Sequence, residues 1–114
     1  MVCFSLRRGK TAAYKNFVIS DEARQLFDKI EKATGFKYLN TYFCTIPAAD
    51  PDHDVYEMWE FPNMAAYDKL RESDVFGVFL ERIGDMLNFD KPVKIVTLQT
   101  ARDVKIIYEP PPRP

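Results

Sequence analysis

Residues Phe36–Ile46 place apolar side chains on both faces of a predicted β-strand. Alternate residues of a strand point to opposite sides of the sheet. The even positions carry Phe36, Tyr38, Asn40, Tyr42, Cys44 and Ile46, and the odd positions carry Lys37, Leu39, Thr41, Phe43 and Thr45. A strand that is partly apolar on both faces is normally covered on both. The segment therefore predicts a sheet with a packed layer on each side.

The stretch after Ser20 has the pattern of an amphipathic helix. Ser20 is suited to cap the free N–H groups of the first turn, and Gly35 is suited to a left-handed C-terminal cap. Apolar residues follow Ser20 at spacings of three and four, as Ala23, Leu26, Phe27, Ile30 and Ala33. These signals predict a helix between Ser20 and Gly35.

The remaining elements are read from composition and spacing. Val2–Leu6 fits either a strand or a loosely held arm. The other predicted strands are Tyr14–Ile19, Val55–Phe61 and Val93–Thr100, followed by a turn at 101–103 and an extended segment, Val104–Tyr108. Two further helices are predicted, from about Asn63 to Glu72 and from a cap at Asp74 to Leu87.

This order of elements predicts an α+β fold. Two split β-α-β halves give the ferredoxin-like βαββαβ layout, a four-stranded antiparallel sheet with the helices on one face. Because the helices cover one face only, a second copy is expected on the other face, which makes a dimeric α/β barrel. The 114 residues suit one domain at 1–109 and a Pro-rich tail at 110–114.

Charge and cysteine content exclude several classes of protein. The net charge is −1, and the start of the chain offers only Arg7, Arg8 and Lys10 as a basic group, so no nucleic-acid partner is expected. No apolar stretch is long enough to cross a membrane. Cys3 and Cys44 form neither a disulfide framework nor a zinc site. The expected protein is a cytoplasmic homodimer without membrane partners.

Residues 55–87 carry a recognisable series of short motifs. A strand ends in Trp59-Glu60, a helix contains Ala66-Tyr67, and Ser73-Asp74-Val75-Phe76 opens the next helix. This series resembles the dimeric α/β-barrel superfamily, above all its antibiotic-biosynthesis-monooxygenase group. Trp59-Glu60-Phe61-Pro62 is also similar to the NIPSNAP family. The resemblance implies a small-molecule-binding protein, with cofactor-independent monooxygenation of an aromatic or quinol-type compound as its activity.

The haem-degrading branch of this group uses an Asn on the first strand, a Trp on the third and a His on the later helix. By this resemblance Asn16 and Trp59 are the candidate catalytic residues. The His position is occupied by Leu80, which cannot ligate iron, and the one histidine, His53, lies in a loop. No haem or other cofactor is therefore expected.

A pocket for a small apolar or aromatic ligand is predicted between helices and sheet. Its expected lining residues are Tyr38, Asn40, Tyr42, Met58, Tyr67, Phe76 and Leu80. The alternative is that Trp59 is a core residue with its N–H satisfied and that the strand aromatics pack across the sheet. The protein would then be a non-catalytic, stress-related or structural dimer with a filled pocket.

The acidic loop around His53 invites a metal interpretation. A calcium loop that begins at Asp50 requires Gly where the chain has Val55 and Glu where it has Phe61. A solvated loop without a metal is therefore expected.

Overall fold

The computed structural model describes residues 1–100 and 102, and within them the chain is an α+β structure with four strands and four α-helices. The strands are β1 (Val2–Phe4), β2 (Lys37–Phe43), β3 (Val55–Glu60) and β4 (Lys94–Ile95). The helices are α1 (Thr11–Val18), α2 (Asp21–Thr34), α3 (Ala65–Glu72) and α4 (Asp74–Gly84). The predicted segment Val104–Tyr108 and the tail 110–114 lie outside the described residues.

The strands form one antiparallel sheet in the order β2-β3-β1-β4. The helices α1, α2 and α4 pack aromatic rings against the face that carries Glu57 and Trp59. The α+β class and the antiparallel sheet are confirmed, and the strand order is compatible with a ferredoxin-like layout.

Helix α2 forms where its capping residues predict it. The Ser20 hydroxyl accepts a hydrogen bond from the Ala23 N–H at 3.1 Å, and Gly35 ends the helix at φ +86°. Only glycine adopts this backbone conformation without strain. Phe27 and Ile30 of the apolar stripe are buried, so local signals and core packing agree.

The prediction of a strand at Tyr14–Ile19 is wrong, because these residues belong to α1 and its C-terminal cap. Tyr14 and Phe17, three residues apart, are its buried pair. This spacing places both rings on one side of a helix, which outweighs the local β propensity. The first strand is instead β1, so Val2–Leu6 contains a strand and not a loose arm.

The prediction that Tyr38, Asn40 and Tyr42 share one face of β2 is also wrong. The pairing with β3 shifts by one residue between Tyr38 and Asn40, as in a β-bulge. Tyr38 lies opposite Trp59 on the helix-covered face, whereas Asn40 and Tyr42 are exposed on the other. Because Leu39 is an extra residue in the pairing, even-numbered side chains face the helices before it and odd-numbered side chains face them after it.

Two predicted boundaries differ for local reasons. The strand predicted at Val93–Thr100 is restricted to Lys94–Ile95, because the short β1 pairs with only these two residues. Helix α4 is capped by Ser73, whose hydroxyl accepts from the Phe76 N–H at 3.3 Å, and Asp74 is its first residue.

We expect Ser20→Ala to destabilise the protein by about 1 kcal/mol, because the N–H groups at the start of α2 lose their acceptor. Urea unfolding measures this change, with Ser20→Asp as the control that retains an acceptor. Equal losses in the two variants would contradict the capping role.

Candidate functional site

A buried carboxylate lies between the sheet and the helices. It belongs to Glu57, a residue that is 3% exposed. It accepts hydrogen bonds from the Tyr14 hydroxyl at 2.6 Å, the Thr41 hydroxyl at 2.9 Å and the Trp59 indole N–H at 3.0 Å. These three donors come from α1, β2 and β3 and offset much of the cost of burying the group.

Burial and hydrogen bonding act on the Glu57 pKa in opposite directions. Removal from water disfavours the carboxylate and raises the pKa, and the bonds from Tyr14, Trp59 and Thr41 lower it in part. The net direction is upward. Burial, followed by the nearby Glu57 carboxylate, raises the pKa of Tyr14 far above its ordinary range, so this phenol keeps its proton and remains a donor.

A second tyrosine joins this network through Thr41. The hydroxyl oxygens of Tyr38 and Thr41 are 2.6 Å apart. Because the single hydroxyl proton of Thr41 is donated to Glu57, Tyr38 is the donor to Thr41. The result is a continuous chain of hydrogen bonds that leads from Tyr38 to the buried carboxylate.

The indole of Trp59 is surrounded by aromatic rings. Its centroid lies 5.3 Å from Phe27, 5.5 Å from Tyr38 and 5.9 Å from Phe79, all in edge-to-face or inclined arrangements. These rings occupy the space beside the indole, and its N–H is satisfied by Glu57. These contacts favour the packing interpretation of Trp59 over direct contact with a substrate.

An open cleft bordered by Tyr38 lies between the C-terminal end of α1, helix α2 and β2. Its volume is about 460 Å³. Phe27 and Tyr38 form an aromatic wall, stacked with centroids 4.0 Å apart and planes inclined by 8°. The cleft is lined by Val18, Ile19, Ser20, Asp21, Arg24, Phe27, Asp28, Glu31 and Tyr38.

Of the residues predicted to line a pocket, Tyr38 borders this cleft. Asn40 and Tyr42 are exposed on the opposite face of the sheet, where the half-buried Met58 pairs with Asn40. Tyr67 packs against Phe36 in a separate ring cluster. The predicted pocket residues therefore do not form one site.

The candidate residues on the helices α1 and α4 do not line the cleft either. Phe76 is 6.1 Å from Phe79, ring to ring, and Leu80 is 46% exposed on α4. Asn16 is exposed on α1, so its placement on the first strand is wrong, and β1 (Val2–Phe4) contains no Asn. Asn16 therefore does not occupy the strand position that the Asn has in the haem-degrading branch.

A second polar cluster lies in the loop before β3. Asp50 accepts a hydrogen bond from Tyr56 and lies 3.0 Å from His53 Nδ1. The bond from Tyr56 is the main cause that lowers the pKa of Asp50, and it raises the pKa of Tyr56 to about 12. The His53 side chain is only 12% exposed, so the prediction of a solvated loop is wrong at this residue. The described residues contain no group of three or more His, Cys, Asp and Glu that is suited to a metal.

Sequence reasoning missed Glu57, although a signal was present. Glu57 lies between Val55 and Trp59 in the strand alternation, on the same side as both. An acid between two inward apolar residues indicates a buried carboxylate that needs donors.

Comparisons with protein-family models, with curated proteins and with solved structures find no match to this chain. The resemblance to the dimeric α/β-barrel superfamily therefore stays a prediction. Within the part of the chain that the structure describes, no helix has both the length and the apolar character to span a bilayer.

The raised pKa of Glu57 predicts a pH dependence of stability. A carboxyl that binds its proton more tightly in the folded state stabilises the fold most below its unfolded pKa, and this contribution is lost as the pH rises. The unfolding free energy of wild type minus that of Glu57→Gln should therefore decrease as the pH rises above 4.5, the ordinary pKa of a glutamate. Urea unfolding at several pH values measures it, and a difference that grows with pH contradicts the assignment.

Proposed function

We propose that this protein binds a small aromatic compound in the cleft beside Tyr38 and that it works as a twofold dimer of the dimeric α/β-barrel kind. The observation that carries the proposal is the cleft itself. Its volume of about 460 Å³ is within the usual range of small-molecule sites. Its wall includes a phenol that is hydrogen-bonded, through Thr41, to a buried carboxylate.

The cleft lining supports a flat, uncharged ligand. The half-buried ring of Tyr38, supported from behind by the buried Phe27, offers an aromatic surface, and Val18 and Ile19 extend it. The cleft contains three carboxylates, from Asp21, Asp28 and Glu31, but one guanidinium, from Arg24. This excess of negative charge disfavours an anionic ligand. A phenol, naphthol or quinol combines an aromatic body with a neutral hydroxyl.

Cofactor-independent monooxygenation is the activity we propose for such a ligand. In this chemistry the electron-rich substrate itself reduces oxygen, and the protein positions and desolvates it. The support is the resemblance at residues 55–87 together with the ring-lined cleft beside a buried polar network.

The dimer proposal depends on the sheet face opposite the helices. On this face Tyr42 is 53% exposed and lies opposite Tyr56, and Met58 lies opposite Asn40. Tyr56 and Met58 are half-buried, and the Tyr56 hydroxyl bonds to Asp50 of the loop before β3, so the exposed part of this face is formed by β2. A second copy with the same face would bury this part in an isologous contact.

The alternative function is a non-catalytic dimer with a filled interior. The ring cluster around Trp59 favours it, because Phe27, Tyr38 and Phe79 leave the indole in contact with protein on several sides. Ligand binding and oxygen consumption distinguish the two functions.

Ile19→Arg should weaken binding of quinol and naphthol probes at least tenfold, roughly 1.4 kcal/mol, because a long cation then occupies the mouth of the cleft. Quenching of Trp59, the single tryptophan in the sequence, reports binding, since its ring is 5.5 Å from Tyr38. Oxygen uptake in the same samples reports turnover. The matched control is Val78→Arg, which changes an exposed apolar residue of α4 outside the cleft lining. Binding of no probe in the panel would favour the non-catalytic dimer.

Tyr42→Glu should weaken the dimer by about 2 kcal/mol or more, roughly thirtyfold, because it places a charge in an apolar contact. Sedimentation velocity over micromolar concentrations measures this change. Leu80→Glu, on the exposed side of α4, is the control that should leave the dimer intact. A monomeric wild-type protein would contradict the dimer proposal.

A further inference from the structure

We infer that Tyr38, Thr41 and Glu57 form a proton relay that deprotonates a hydroxylated aromatic ligand in the cleft. This inference rests on the proposed function, because it needs a ligand beside Tyr38. It assigns the Tyr38 hydroxyl as the group that touches the ligand and Glu57 as the final proton acceptor. Thr41 connects the two.

The direction of the hydrogen bonds is the first argument. Tyr38 donates to Thr41, and Thr41 donates to Glu57. The oxygen of Tyr38 therefore has acceptor capacity left for a ligand hydroxyl. As the ligand gives its proton to the Tyr38 oxygen, the Tyr38 proton moves to Thr41 and the Thr41 proton moves to Glu57 Oε2. One negative charge leaves the carboxylate and appears on the ligand oxygen, so atoms and charge balance.

The burial of the two ends is the second argument. Glu57 is buried, whereas Tyr38 is half-buried and borders the open cleft. A carboxylate without access to solvent gains stability when it becomes neutral. The relay thus connects a base inside the protein with a ligand that never has to enter the filled core around Trp59.

The charges around the cleft are the third argument. Arg24 is the guanidinium of the lining, and it pairs with Asp21 at 3.1 Å. Asp28 pairs with Lys32 at 2.9 Å, and Glu31 is a further carboxylate of the cleft. These carboxylates disfavour an additional negative charge nearby. Transfer of the ligand proton to Glu57 leaves the total charge of the cleft and the buried network unchanged, so the relay adds no net charge to these acidic surroundings.

The groups that contact Glu57 define the matched control. Tyr14 approaches from α1, Thr41 from β2 and Trp59 from its own strand. Tyr14 and Tyr38 are both phenols of the network, but Tyr14 is buried and does not line the cleft. Removal of the Tyr14 hydroxyl therefore takes a donor from Glu57 and leaves the relay complete.

The test uses 4-nitrophenol, whose neutral and anionic forms absorb at different wavelengths, at a pH where the free probe is mostly neutral. With the wild-type protein, the bound probe should show the phenolate band. Tyr38→Phe and Thr41→Val should bind the probe but lose that band, and Tyr14→Phe should keep it. Glu57→Gln should also lose the phenolate band. If the Glu57→Gln protein does not fold, Tyr38→Phe and Thr41→Val still decide the test.

The possible outcomes separate the relay from the proposed function. A probe that wild type binds only in its neutral form overturns the relay and leaves the ligand site standing. A phenolate band that persists in both Tyr38→Phe and Thr41→Val also overturns it. If neither 4-nitrophenol nor any quinol binds, the proposed function fails, and the relay fails with it.

Discussion

The Glu57 carboxylate holds together three parts of the structure that the chain separates widely. Tyr14 belongs to α1, Thr41 to β2 and Trp59 to β3, and each donates one hydrogen bond to this group. An ionised side chain in the interior is tolerated only when its oxygens are satisfied. The positions of these three donors are therefore coupled: loss of one leaves a buried acceptor with less support. The surrounding rings of Phe27 and Phe79 complete the layer between helices and sheet.

The sequence predicts best those helices whose ends are marked by capping residues. Ser20 and Gly35 bound α2 through a side-chain cap and a left-handed residue, and both act over a few residues only. The aromatic and β-branched content of Tyr14–Ile19 predicts a strand, whereas the burial of Tyr14 and Phe17 against distant residues favours the helix that forms. The position of β1 is likewise set by pairing with β3 and β4, which local sequence does not encode.

The candidate site was predictable only in part. Tyr38 was expected to line a pocket, and it does border the cleft. The family resemblance predicts a catalytic role for Trp59, but its contacts are those of a packed core residue. Glu57 is not among the predicted site residues, because a charged residue in a strand usually faces solvent. Trp59 is its neighbour on the same strand, but the donors Tyr14 and Thr41 are distant in sequence, and only the fold brings them to Glu57.

The bulge at Leu39 divides β2 into two halves with opposite phase. Before it, the even-numbered Tyr38 faces the helices, and after it, the odd-numbered Thr41 does. One strand thus supplies two members of the buried network while Asn40 and Tyr42 remain outside. Substitutions in β2 should therefore be tolerated least at even-numbered positions before Leu39 and at odd-numbered positions after it. A relative that lacks the extra residue would expose one half of the network or the other, even with every side chain of the network retained.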